Sequence, residues 1–213
     1  MELTDILVVE DGEQNINDAR EALGEIMIAR SFAEFEDIFT KNKPKYVLSD
    51  LYFPTRYNGE KHEKLKSEVA DILENYINKN YGKSNPLARV LEMIFPNLNS
   101  TNFDEHLDAF NDPVLNNKNI RPYIRNAYDE GQRVKDYKKL LKDINDNVHD
   151  LPSGIFVYRK CKSENIPCII VTNAYHHGTE FQPFVYHVGS YFDDLKDGKK
   201  KWKEALDHIS KKR

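Results

Sequence analysis

The chain has few cysteines, only two among 213 residues, and they fit neither a metal site nor a structural disulfide. Cys161 is expected on a helix and Cys168 in a buried strand, and no histidine accompanies them at zinc-binding spacing. Because disulfides are rare in reducing compartments, we interpret both residues as reduced thiols of the core.

A long apolar run is also missing. The mean hydropathy is -0.71, and no segment approaches the roughly 20 apolar residues that span a bilayer. The first residues do not show the basic, apolar and small-residue pattern of a secretory signal. We therefore expect a cytoplasmic protein that does not associate with a membrane.

The sequence lacks a strong charge of one sign, since the formal net charge is -4. The basic run near the C-terminus, which includes Lys199, Lys200 and Lys201, is interpreted as a solvated helix face. A nucleic-acid interface needs a broader basic surface. We therefore expect no nucleic-acid partner.

Two short apolar runs end in acidic residues. Ile6 to Val9 is followed by Glu10 and Asp11, and Tyr46 to Ser49 is followed by Asp50. Such runs are typical of buried parallel strands, and ligands of an open α/β sheet bind beyond the carboxyl ends of its strands. Three carboxylates at one edge offer the oxygen ligands that Mg²⁺ prefers.

A long stretch between Pro54 and Gly154 has helical periodicity nearly throughout. We interpret residues 55–152 as an inserted domain of four amphipathic helices, with nearly equal numbers of acidic and basic residues. The strand Cys168 to Thr172 follows. The next strand is either Phe184 to Val188 or Tyr191 to Leu195, and an amphipathic helix ends the chain.

Residues 1–54 and 153–213 together resemble a response-regulator receiver domain. The resemblance is carried by the acidic pair after the first strand, by Asp50, by Pro54 four residues later, and by the strand that ends in Thr172. It implies an α/β fold with a doubly wound, five-stranded parallel sheet of flavodoxin-like order 2-1-3-4-5. The all-helical insertion at 55–152 departs from the family's pattern.

The resemblance implies a role for each site residue. Asp50 would accept a phosphoryl group, and Thr172 would contact the phosphoryl oxygens. Glu10, Asp11, Asp50 and the backbone carbonyl of Tyr52 would hold Mg²⁺ as cofactor.

The family's lysine at the end of the fifth strand matches Lys196, which lies 24 residues after Thr172. The proline that follows this lysine in the family is Asp197 here, and the family's aromatic switch residue has no clean match. The implied partner is a histidine kinase or a phosphotransfer protein. The helical insertion would bind an unknown protein partner or act as a gate.

Two alternatives remain open. A phosphatase of the haloacid-dehalogenase type also has a strand-end Asp nucleophile and a helical cap, and Asp193 with Asp194 would then hold the metal. Tyr52, however, stands where such enzymes have their general acid. The other alternative is a pseudo-receiver that is never phosphorylated and acts only by binding proteins. His176 and His177 are interpreted as a surface loop.

Overall fold

A computed structural model of the chain describes residues 5–82, 85–94, 103–109, 112–113, 116–147, 150–174, 178–193 and 199–211. The chain forms two compact units. The first consists of residues 1–72 and 143–213, and the second of residues 73–142. All the described candidate site residues lie in the first unit.

The first unit contains a five-stranded sheet in which all the strands are parallel. The strands are β1 (Ile6–Val9), β2 (Met27–Ala29), β3 (Tyr46–Ser49), β4 (Cys168–Thr172) and β5 (Ser190–Asp193). Their order is β2-β1-β3-β4-β5. This order confirms the prediction and is consistent with a flavodoxin-like fold. Every residue of β1, β3 and β4 is buried, which explains their uninterrupted apolar sequences.

Helices cover both faces of the sheet. They are α1 (Glu13–Leu23), α2 (Phe32–Asn42), α7 (Gly154–Ser163) and α8 (Trp202–Ser210). Ala19 of α1 and Trp202 of α8 belong to the same apolar cluster as Val8 and Leu48. On the other face α2 packs against α7, where the ring centroids of Phe32 and Phe156 lie 5.8 Å apart. The sheet is thus doubly wound.

The helix start at Ser31 shows how local sequence fixes an element. The Ser31 hydroxyl accepts a hydrogen bond from the backbone N–H of Glu34 at 3.2 Å, as expected for an N-cap. The helix α2 ends at Lys43, whose φ of 46° is left-handed and stops further helical hydrogen bonding.

Four further helices lie between β3 and α7 in the described part of the chain. They are α3 (Glu60–Tyr81), α4 (Pro86–Ile94), α5 (Phe103–Ala109) and α6 (Arg121–Asn145). The second unit has an apolar core of its own, formed by Leu91, Phe103, Leu107, Ile124, Ala127 and Tyr128. None of the described helices is both long and apolar enough to cross a membrane.

The structure decides between the two candidates for the fifth strand. Of the two candidates for the fifth strand, the second is nearly right, because β5 spans Ser190–Asp193. Phe184 to Val188 is not a strand, since Gln182–His187 forms a 3-10 helix with Pro183 in its first turn. Helix α6 includes Gly131 and continues through it.

Candidate metal centre

The carboxyl ends of β1 and β3 place three acidic residues at one edge of the sheet. The backbone N–H of Asp50 donates to the carbonyl of Val9 at 2.8 Å, and that of Glu10 donates to the carbonyl of Ala29 at 2.9 Å. These bonds extend the pairing of the strands by one residue. Glu10 and Asp50 therefore leave the sheet side by side.

Glu10, Asp11 and Asp50 form a compact cluster. One carboxylate oxygen from each residue can be chosen so that all three lie within 4.8 Å of one another. Glu10 is buried, Asp11 is exposed and Asp50 is intermediate. The sequence analysis expected these three side chains to meet, and the structure brings them together. The cluster could hold a metal ion, because its ligand atoms are all oxygens.

A lysine that the sequence analysis did not select also lies in this cluster. The ammonium of Lys200 contacts one oxygen of Glu10, and it lies 2.8 Å from Oδ2 of Asp50. The Lys200 side chain is only 2% exposed, so the ion pairs are shielded from water. Lys196, which was expected to fill this role, lies outside the described residues.

Lys200 was missed because it stands in a basic run that was assigned to solvent. Lys200 lies two residues before the buried Trp202, and Lys201 directly precedes α8. The Lys200 ammonium lies 5.6 Å from the centroid of the Trp202 ring. The neighbouring Lys199 is exposed and Lys201 is intermediate, so the basic run itself contains no signal that singles out Lys200.

The two buried carboxylates are each held by the backbone as well. Glu10 accepts a hydrogen bond from the N–H of Gly12 at 2.9 Å on Oε1, and Lys200 contacts its other oxygen. Asp50 accepts from the N–H of Leu51 at 2.7 Å on Oδ1. Both side chains are therefore fixed in place, whereas Asp11 at the exposed side of the cluster faces solvent.

Burial and mutual repulsion change the acidities of the cluster. Burial raises the pKa of Asp50 from its ordinary value of 3.8 to about 6; Lys200 opposes the rise and Glu10 adds to it. The pKa of Asp11 is also raised, first by partial loss of hydration and then by the charge of Glu10, with a smaller contribution from Asp150. The cluster therefore holds more negative charge than Lys200 balances.

Gly154 allows the return chain to pass close to the site. Its N–H donates to the carbonyl of Leu51 at 2.9 Å. A Cβ atom at this position would lie 2.4 Å from the carbonyl oxygen of Asp50 and 3.0 Å from the Cα of Leu51. No side chain fits there, which explains why glycine begins α7.

Tyr52 and Thr172, the other expected site residues, lie at the same edge. Tyr52 follows β3, and its hydroxyl donates to the backbone carbonyl of Glu180. Burial, followed by the charges of Glu180 and Asp50, raises the pKa of Tyr52 well above its usual value, so the phenol stays neutral. Thr172 ends β4, is buried, and accepts a hydrogen bond from the N–H of Ala174 at 3.2 Å.

Other residues considered from the sequence fall outside the described part of the chain. These are His176, His177, Asp194 and the side chain of Asp193, although the backbone of Asp193 ends β5. The described site could hold a cation through oxygen atoms, and two of its carboxylates, Glu10 and Asp50, lie next to a buried ammonium. Comparison with models of protein families, with curated proteins and with solved structures gave no match for this chain.

Proposed function

We propose that this chain is a receiver-like signalling protein that accepts a phosphoryl group on Asp50 in the presence of Mg²⁺. The observation that carries the proposal is the cluster itself. A carboxylate at the end of the central strand β3 lies beside two further carboxylates from β1 and 2.8 Å from the ammonium of Lys200. The buried ammonium fills the role that the receiver resemblance gives to a lysine.

The donor atoms suit Mg²⁺. Three carboxylates whose ligand atoms lie within 4.8 Å are hard oxygen donors. Asp11 and Asp50 are the principal candidates, because Glu10 is the most buried of the three carboxylates, whereas Asp11 is exposed and Asp50 is intermediate. The carbonyl of Tyr52 is a further candidate by the resemblance. When bound, Mg²⁺ supplies positive charge that offsets the carboxylates and the oxygens of an incoming phosphoryl group.

Phosphoryl transfer depends mainly on positioning and on charge neutralisation. An oxygen of Asp50 would form a bond to phosphorus while the bond from phosphorus to the leaving atom of the donor breaks. That atom is an imidazole nitrogen in a phosphohistidine and an acyl oxygen in acetyl phosphate, and the leaving group would depart with the electron pair of the broken bond. Lys200 would neutralise negative charge on Asp50 and on the phosphoryl oxygens. The hydroxyl of Thr172, whose oxygen already accepts from Ala174, keeps its proton available for donation to a phosphoryl oxygen.

The helices between β3 and α7 constitute, in this proposal, an all-helical insertion at residues 55–152 that binds a protein partner or gates the site. Both ends of this insertion, residues 55 and 152, lie outside the second unit, Leu73–Lys142. The phosphoryl group would come from a histidine kinase or a phosphotransfer protein in the cytoplasm. The signal would leave through contacts with another protein.

Incubation with Mg²⁺ and acetyl phosphate tests the proposal. We expect mass spectrometry to show one added phosphoryl group, stable in acid and labile in base, on the wild type but not on Asp50→Asn. Asp207→Asn is the matched control, because Asp207 is an exposed aspartate of α8 that does not belong to the carboxylate cluster. Failure of several phosphodonors to modify the wild type would favour a protein that acts only by binding.

A further inference from the structure

Two chain connections join the site to the helices that follow it. The exit connection, residues 54–59, leads from the loop after β3 to α3. The return connection leads from α6 to α7, and its described residues are 146–147 and 150–153. Both belong to the first unit. Each comes within a few residues of the carboxylate cluster, since Asp50 precedes the exit and Gly154 follows the return.

One side chain bridges these connections. His62, in the first turn of α3, has Nδ1 at 3.0 Å from the hydroxyl oxygen of Thr55 on the exit connection. Its Nε2 lies 3.2 Å from the amide oxygen of Asn147 on the return connection. The ring therefore holds the two connections through its two nitrogens, in a cavity of about 300 Å³ that Asp150 also lines.

The surrounding hydrogen bonds define which nitrogen carries the proton. Lys66 Nζ lies 3.4 Å from the same Asn147 oxygen, so that atom is an acceptor and His62 Nε2 donates to it. Nδ1 then accepts from the Thr55 hydroxyl, whose oxygen accepts in turn from the N–H of Tyr57 at 3.4 Å. Thr55 is buried, so the loss of His62 leaves its hydroxyl without this partner.

Both connections have a left-handed residue next to this bridge. Arg56 has φ of 53° and Asn147 has φ of 55°. Asparagine adopts this conformation more readily than other residues with a side chain, so the strain argument applies to Arg56 and not to Asn147. Arg56 is held by Glu34, with 2.5 Å between the charged atoms, and Asn147 is held by His62 and Lys66. His62 thus fixes the side chain of Asn147 at the turn that begins the return connection.

The exit connection is anchored to α2, and the return connection interacts with the site. The carbonyls of Pro54 and Thr55 accept from the N–H groups of Phe32 and Ala33, both at 3.1 Å, so the exit connection is fixed to the start of α2. On the return side, Asp150 lies close enough to Asp11 for their charges to interact. A cation at the cluster would attract Asp150 and would draw the return connection toward the carboxylates.

We propose that His62 is a positioning residue, which clasps the exit and return connections and thereby couples cation binding at the carboxylates to the conformation of both connections. The inference rests on the proposed function, because it supplies a regulation of the same site. Coupling is reciprocal: if the clasp favours the cation-bound arrangement, the cation must also favour the closed clasp.

The test uses the full chain and Mg²⁺ alone. Mg²⁺ affinity is measured through the fluorescence of Trp202, the only tryptophan, and amide hydrogen exchange is followed at residues 54–59 and 146–153 with and without Mg²⁺. We expect His62→Ala to bind Mg²⁺ at least fivefold more weakly, to exchange faster at Tyr57 and Asn147, and to lose the protection that Mg²⁺ adds there.

Two variants separate positioning from a general loss of structure. His62→Gln can accept from Thr55 and donate to Asn147, so it should restore most of the Mg²⁺ affinity. Thr55→Val removes only the hydroxyl in a side chain of the same shape, and it should weaken Mg²⁺ binding even if His62→Ala does not fold. His208→Ala, an exposed histidine of α8, should leave affinity and exchange unchanged.

The outcomes distinguish this inference from the proposed function. Absence of Mg²⁺ binding by the wild type would overturn the proposed metal chemistry and the coupling with it. If the wild type binds Mg²⁺ and His62→Ala and Thr55→Val bind it equally well, the coupling alone is wrong. Wild-type exchange rates at Tyr57 and Asn147 in a folded His62→Ala would show that there is no clasp.

Discussion

Replacement of Lys200 by methionine removes the ammonium of the cluster and keeps most of the apolar stem. The lysine side chain and that of Glu10 are each 2% exposed, and the side chain of Asp50 is 13% exposed. Removal of one member of a buried ion pair costs about 3–5 kcal/mol, because the remaining charges stay buried without a partner. Here two carboxylates would remain and would repel each other.

Protonation of one of these carboxylates limits that cost, so we expect Lys200→Met to lose about 3 kcal/mol of unfolding free energy at pH 7.5. The loss should shrink at pH 5, because Asp50 has a pKa of about 6 and is then largely neutral in the wild type. At that pH the ammonium interacts mainly with Glu10. Saturating Mg²⁺ should also reduce the difference, since a cation can take over the charge.

Urea unfolding measured by Trp202 fluorescence and by circular dichroism gives the free energies. Lys199→Met is the matched control, because its side chain is exposed and adjacent in sequence. The double variant Lys200→Met/Asp50→Asn should be more stable than Lys200→Met, since one of the two repelling charges is gone. A loss below about 1 kcal/mol at pH 7.5, equal to that of Lys199→Met, would show that Lys200 does not hold the cluster together.

Three other changes test the site and its supports. Asp11→Asn should weaken Mg²⁺ binding at least tenfold with little change in stability, whereas Asp207→Asn should not; equal loss in Asp193→Asn would instead favour the phosphatase alternative. Gly154→Ala should destabilise the protein by about 1–3 kcal/mol, because its Cβ would lie 2.4 Å from the Asp50 carbonyl; Gly131→Ala, with 3.5 Å to Ala88, should stabilise α6 by roughly 0.5–1 kcal/mol. Asp50→Asn should gain stability relative to the wild type as pH rises from 4 to 7. The raised pKa means that folded Asp50 keeps a proton that the unfolded chain releases, and the interval from 3.8 to about 6 corresponds to at most about 3 kcal/mol in urea unfolding.

The sheet could be predicted because its strands combine two strong signals. Each of β1, β3 and β4 is a short, mainly apolar run, and each is buried along its whole length. Because these strands are parallel, the acidic or hydroxyl residues at their carboxyl ends lie at the same edge of the sheet. The position of β5 was harder, because Ser190–Asp193 is polar at both ends while the apolar Phe184 to Val188 is largely a 3-10 helix.

The lysine of the site could not be selected from sequence alone. Lys196, Lys199, Lys200 and Lys201 lie within six positions, and sequence spacing cannot distinguish a side chain that enters the cluster from one that enters solvent. What separates the described lysines is tertiary: the Lys200 side chain is 2% exposed and contacts Glu10 and Asp50, whereas Lys199 is exposed and Lys201 is intermediate. A long basic side chain near a buried helix start can point inward where a carboxylate is available to pair with it.

The bridge at His62 was missed for a related reason. Thr55, His62 and Asn147 are separated by 7 and 85 positions, so no motif joins them. Their meeting depends on where α6 ends relative to α3, which periodicity does not fix. Helical stripes specify which face of each helix is buried, but not the register at which two connections meet.

A proton and a lysine compete for the same carboxylates, and a bound cation would be a third competitor. Burial alone would leave Asp50 protonated near neutral pH, and its pKa of about 6 is the result of burial opposed by Lys200. The lysine therefore keeps Asp50 anionic at pH 7.5, the form that can attack phosphorus or bind a metal ion. One ammonium cannot neutralise three carboxylates, so the exposed Asp11 retains an unbalanced charge toward solvent. That residual charge, placed beside an anionic nucleophile, is what a divalent cation would neutralise.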